Sequence, residues 1–154
     1  NRYSIGIEIS NPGHDYSYKN FSKNQINSVL KLSNYLKKKY KIKSKFILGH
    51  SDISPLRKKD PGEKFPWQIL AKNKLSIWHD ISLKHLKQFR NLRINTNEKN
   101  EFFLNLKKIG YFVNNNKKHK KFLIIAFQRK FRANLLNGII DKECLIISKK
   151  LINT

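Results

Sequence analysis

The sequence predicts an α/β unit followed by a small module of three helices. Three patterns carry that prediction. Ile5, Ile7 and Ile9 alternate with Gly6 and Glu8, the period of a half-buried strand. Ile26, Val29, Leu30 and Leu36 stand at helical spacing in a lysine-rich stretch over 22–41. After residue 97 the helical spacing returns three times, through Phe102, Leu106 and Ile109, through Leu123, Phe127 and Phe131, and through Leu145 and Leu151.

Each element has local punctuation. Asn11-Pro12-Gly13-His14-Asp15 is a turn that ends the first strand and leaves Glu8 on the face opposite the isoleucines. Ser22 suits the N-cap of the helix that follows. Phe46-Ile47-Leu48-Gly49 reads as a short buried strand with His50 at its end. A polar, proline-bounded loop over 51–66 leads to a short helix from Trp67 to about Lys72, with Pro66 at its first turn. Strand, helix, strand, loop, helix is an α/β order. Asparagine and basic residues dominate 80–97, which reads as a linker between a unit at 1–79 and a three-helix module at 98–154. Gly110 stops the first tail helix, Asn137-Gly138 is a turn, and Asp141 suits the N-cap of the last helix. Phe127 and Phe131 are expected in the module core, Trp67 in the core of the first unit, and Cys144 as a small buried apolar side chain.

Composition excludes several classes. No stretch is apolar enough for a membrane-spanning helix. A single cysteine among 154 residues excludes an internal disulfide framework. Lys and Arg number 33 against 10 acidic residues, a formal net charge of +23. Phosphate attraction makes nucleic acid one reading of that charge. The excess is spread evenly, however, with 13 basic and 4 acidic residues in 1–60 and the same numbers in 98–154. Lys, Asn and Ile, all with AT-rich codons, number 27, 18 and 19, and Lys outnumbers Arg 27 to 6, whereas base readout favours Arg. No specific nucleic acid is expected; the charge reads as a solvated surface that also attracts anionic polymers or carboxylate-bearing peptides. The chain starts at Asn1 and contains no Met, so residue 1 is expected to be an internal position of a longer protein.

The chemistry concentrates after the second predicted strand. His50 and Asp60 offer an imidazole nitrogen and a carboxylate oxygen, both good Zn²⁺ ligands, on a loop stiffened by prolines. Lys58 could stabilise negative charge developing on a substrate, and Glu8 could orient or deprotonate an attacking water. The same spacing also fits a capping histidine and a turn aspartate. Asp52 reads as an exposed loop or capping residue. His14 is placed near the rim as a surface or substrate-contacting residue. Arg57 suits either a substrate carboxylate or an ion pair within the loop. His79, His85 and His119 lie outside these motifs.

Gly49-His50-Ser51-Asp52-Ile53-Ser54-Pro55-Leu56-Arg57-Lys58-Lys59-Asp60-Pro61-Gly62, followed by Phe65-Pro66-Trp67-Gln68-Ile69-Leu70, resembles the signature of the zinc-dependent N-acetylmuramoyl-L-alanine amidases of type 2, relatives of peptidoglycan-recognition proteins. Ser4 to Ile9 and Asn11-Pro12-Gly13 resemble the preceding strand and turn of that family. Ile109-Gly110-Tyr111, Ala126-Phe127-Gln128-Arg129-Lys130-Phe131 and Asn137-Gly138 with Asp141 resemble a three-helix peptidoglycan-binding domain. The resemblance implies part of a mixed-sheet amidase domain and hydrolysis of the amide joining N-acetylmuramic acid to L-alanine. It implies zinc held by His50 and Asp60, with one further His ligand upstream of residue 1. It gives Lys58 the oxyanion of the tetrahedral intermediate and Glu8 the attacking water. Peptidoglycan or muropeptides are the implied partners and the cell envelope, periplasmic or outer-membrane-associated, the implied location, with the cytoplasm as the alternative. Without the upstream ligand, the chain is expected to be an incomplete enzyme. A non-catalytic peptidoglycan-binding fragment is the alternative reading, and a basic nucleic-acid-binding protein a more distant one.

Overall fold

Ser22 begins the first regular element as the sequence predicts. Its hydroxyl accepts from Gln25 N, and the Gln25 side chain accepts from Ser22 N, a reciprocal cap. In the computed structural model, which describes residues 3–154, this helix α1 spans Lys23–Lys39 and buries Ile26, Val29 and Ser33. A 3₁₀ turn at Ser44–Phe46 leads to α2, a single turn at His50–Ile53. Then come α3 (Trp67–Lys72), α4 (Leu83–Phe89), α5 (Thr96–Ile109), α6 (Lys117–Phe131) and α7 (Lys142–Leu151).

Among the described residues every regular element is helical and none is a strand. The α/β, mixed-sheet expectation is therefore corrected. Residues 4–12 form no regular element, since a strand needs a neighbour for its backbone ladder. This segment is held instead through side chains: Gln25 Nε2 donates to Ser10 O (2.6 Å) and Asn11 Nδ2 to Lys19 O (3.0 Å). Ile5 and Ile7 remain 50% and 38% exposed, so the alternation does not bury a face. The second predicted strand fails similarly. Ser44 Oγ donates to Lys74 O (2.7 Å) and accepts from Lys37 Nζ (2.9 Å), fixing the 3₁₀ turn, and Phe46 and Leu48 face outward. His50 consequently opens a helix rather than closing a strand.

Two apolar clusters organise the chain. Ile26, Val29, Phe65, Trp67, Leu70 and Leu75 form the first. The second gathers Phe102, Leu106, Leu123, Phe127, Phe131, Leu145 and Ile147 from α5, α6 and α7. Trp78 packs against both. The stretch read as a linker carries α4, whose Leu86 is buried in the second cluster. The tail helices keep their predicted caps: α5 ends at Gly110, and Asp141 Oδ1 accepts from Cys144 N (3.0 Å) at the start of α7. A buried ion network then joins three helices. Arg132 and Arg90, at the ends of α6 and α4, reach Asp141 and Glu143 at the start of α7, at 2.5 and 2.7 Å. No described helix is long and apolar enough to cross a membrane.

Candidate active site

The candidate site is built on a contact that only glycine permits. A Cβ at Gly49 would lie 2.6 Å from Pro61 Cδ and 3.2 Å from Trp67 Cζ2. That close approach lays the start of α2 against the 60–61 segment, where Ser51 N donates to Asp60 O (3.0 Å). The two predicted ligands are thereby brought together, with His50 Nδ1 2.5 Å from Asp60 Oδ2 and both side chains more than half exposed. One nitrogen and one carboxylate oxygen, adjacent and open to solvent, are a donor pair that Zn²⁺ accepts, and a catalytic zinc takes three protein ligands. Among the described residues no group of three His, Cys, Asp or Glu could hold a metal ion. The chemistry of the pair fits zinc as two of its ligands.

The other predicted residues fall differently. Lys58 is half-buried on the same loop, with its backbone N–H donating to Ser54 O (2.9 Å). Arg57 is exposed and makes no ion pair among the described residues, so the loop-stabilising role has no partner there. Glu8 is exposed on the irregular 4–12 segment, and no hydrogen bond or ion pair joins it to His50 or Asp60 among the described residues. His14 Nε2 is engaged by the Glu63 carboxylate (3.0 Å), and its ring lies 4.4 Å from that of Tyr18. Tyr18 Oη donates to Pro61 O (2.8 Å) and accepts from Lys64 N (3.0 Å). Gly62 sits under this ring at φ +87°, where a Cβ would meet Tyr18 Oη at 2.3 Å. His14 thus braces the loop that carries Asp60. Burial raises the Glu63 carboxyl pKa, but the His14 hydrogen bond and the Arg129 charge outweigh it and leave the pKa lowered.

The sequence did not disclose the tie between the two parts of the chain. Asp52 is a capping residue, as one of its two readings had it, but it is buried rather than exposed. Its carboxylate accepts from Gly49 N (2.9 Å), Tyr111 Oη (2.7 Å) and Lys130 Nζ (2.9 Å). Lys130 Nζ also lies 4.1 Å from the centre of the Trp67 ring. Burial, reinforced by the neighbouring Asp52 charge, pushes the Tyr111 hydroxyl pKa well up, so it stays a donor. One residue before Lys130, Arg129 Nε lies 3.4 Å from Glu63 Oε2.

Residues 1–63 match the model of the N-acetylmuramoyl-L-alanine amidase family. The chain is 32% identical over 162 residues to the N-acetylmuramoyl-L-alanine amidase AmiD of Escherichia coli, covering 99% of this chain and 58% of that protein. It is 41% identical over 69 residues to the 1,6-anhydro-N-acetylmuramyl-L-alanine amidase AmpD of Haemophilus influenzae, covering 44% of this chain and 35% of that one. The chain thus spans little more than half of the longer match and about a third of the other. In structure it resembles E. coli AmiD solved with anhydro-N-acetylmuramic acid-L-Ala-D-γ-Glu-L-Lys, at a TM-score of 0.76 and 29% identity over 90% of this chain and 55% of that one. The similarity to AmiD runs through both parts of the chain.

Proposed function

We propose that this chain is part of a zinc-dependent N-acetylmuramoyl-L-alanine amidase acting on peptidoglycan or its muropeptide fragments. The observation that carries the reading is the exposed His50–Asp60 pair, held together by the Gly49–Pro61 packing inside the stretch that matches the amidase family. His50 and Asp60 would hold the ion. When bound there, zinc supplies a Lewis acid for the scissile carbonyl and lowers the pKa of water. Lys58, on the same loop, presents an ammonium for the oxyanion that forms on the muramyl carbonyl. Glu8 takes a proton from the attacking water if the segment that bears it closes over the site. Arg57, exposed and unpaired by acid, suits a carboxylate of the stem peptide.

The tail helices, 98–154, with α4 of the 80–97 stretch packed on them, serve to retain the polymer. Intact peptidoglycan as substrate fits a cell-envelope location, and soluble muropeptide fragments fit a cytoplasmic one. The test is incubation of a form extended upstream of residue 1, so that a third ligand is supplied, with anhydro-N-acetylmuramyl tripeptide and zinc, followed by chromatography and mass spectrometry. Release of free tripeptide with the sugar intact supports the reading. Binding to sacculi without release of peptide favours the non-catalytic binding fragment.

A further inference from the structure

Two adjacent residues of α6 grip the two ends of the segment that carries the candidate ligands. Lys130 holds Asp52, two residues after His50, at 2.9 Å. Arg129 Nε faces Glu63, three residues after Asp60, at 3.4 Å, an ion pair without a hydrogen bond. Tyr111, just past the end of α5, adds a hydroxyl bond to Asp52 at 2.7 Å. The Asp52 and Lys130 side chains are each only 3% exposed, so both contacts are shielded from water and salt. Asp52 is also the residue that receives Gly49 N, the cap of the turn that begins with His50.

From this geometry we infer that Lys130, Arg129 and Tyr111 are positioning residues for the His50–Asp60 pair, and that the tail helices form a working part of the candidate site. Lys130 and Tyr111 fix Asp52. Asp52 fixes the first turn of α2. That turn points the His50 ring at Asp60 while Ser51 N binds the Asp60 carbonyl. Arg129 steadies the far side of the loop through Glu63, which in turn holds His14. The inference rests on the amidase reading only for what His50 and Asp60 do; the coupling stands on its own geometry.

The experiment compares the 154-residue chain with Tyr111→Phe, Arg129→Gln and Lys130→Met by NMR, without substrate. Two signals are followed: amide hydrogen exchange at Ser51 and Gly49, and the ¹⁵N shifts of the His50 ring, which report its contact with Asp60. Tyr111→Phe keeps the buried ring and removes one charge-assisted bond, so it remains folded if Lys130→Met does not. Exchange at Ser51 and Gly49 is expected to quicken about tenfold in Tyr111→Phe, with the His50 ring shifts moving in the same variant. Amides inside α5 and α7 should keep their rates. Lys150→Met, which breaks only the exposed contact with Asp80, should leave both signals unchanged. Unchanged Ser51 exchange and His50 ring shifts in folded Tyr111→Phe and Arg129→Gln overturn the inference. Absence of peptide release in the hydrolysis assay would instead count against the amidase reading alone.

Discussion

Lys130 Nζ and Asp52 Oδ2 lie 2.9 Å apart across 78 residues of sequence, joining α6 to the turn that presents His50. Removing one partner leaves the other as a buried charge. Lys130→Met is therefore expected to lower stability by about 3–5 kcal/mol. Asp52→Asn with Lys130→Met should cost less than the two single changes summed, because neither charge is then stranded. Urea unfolding of the three variants measures both quantities.

Gly62 combines a left-handed backbone with a filled neighbourhood. At φ +87° an L side chain is strained, and its Cβ would overlap the Tyr18 hydroxyl. Gly62→Ala is expected to lose about 1–3 kcal/mol and to break the Tyr18 bond to Pro61 O. Thermal unfolding reads the first effect, and Tyr18 fluorescence in an otherwise tyrosine-depleted background reads the second.

Acid should loosen the tail helices through Asp141. Burial raises its pKa, but the Cys144 and Asn91 amides and the Arg132 charge outweigh this and leave it below the ordinary 3.8. A carboxyl lowered on folding contributes stability that is fully present above its unfolded pKa. That contribution is lost as pH falls through the folded value. The stability gap between the native chain and Asp141→Asn should be full at neutral pH and shrink below pH 3.8. Denaturant titrations monitored by circular dichroism across that range check the sign.

Cys144 should be inert in the folded chain. Burial, the main cause, pushes its thiol pKa up to about 12, so almost no thiolate exists at neutral pH. Ellman's reagent should label it only as fast as the chain unfolds. Prompt labelling under native conditions would contradict its place in the core.

What the sequence disclosed was local. Ser22, Gly110 and Asp141 are legible because a cap is satisfied within four residues of itself. His50 and Asp60 are legible because one short loop, with Gly49 and Pro61 at its ends, brings them together. The predicted strands fail because alternation at Ile5, Ile7 and Ile9 specifies side-chain period but not a ladder partner. Of the two readings of Asp52, the cap is legible because Gly49 lies three positions away, whereas its burial is not, because Tyr111 and Lys130 lie 59 and 78 positions away. A buried aspartate facing a basic helix far along the chain leaves no periodic trace. The contact of His14 with Glu63 is hidden for the same reason, since Glu63 lies 49 positions on.

As proposed, His50 and Asp60 are metal ligands rather than a surface ion pair. A zinc titration followed through the ¹⁵N signals of the His50 ring tests this assignment most directly, in the native chain and in Asp60→Asn. Zinc is expected to shift the His50 ring signals before those of His14, His79, His85 and His119, and Asp60→Asn to weaken the effect by about 10-fold or more. Zinc that leaves the His50 ring unmoved, or moves it equally in Asp60→Asn, would contradict it.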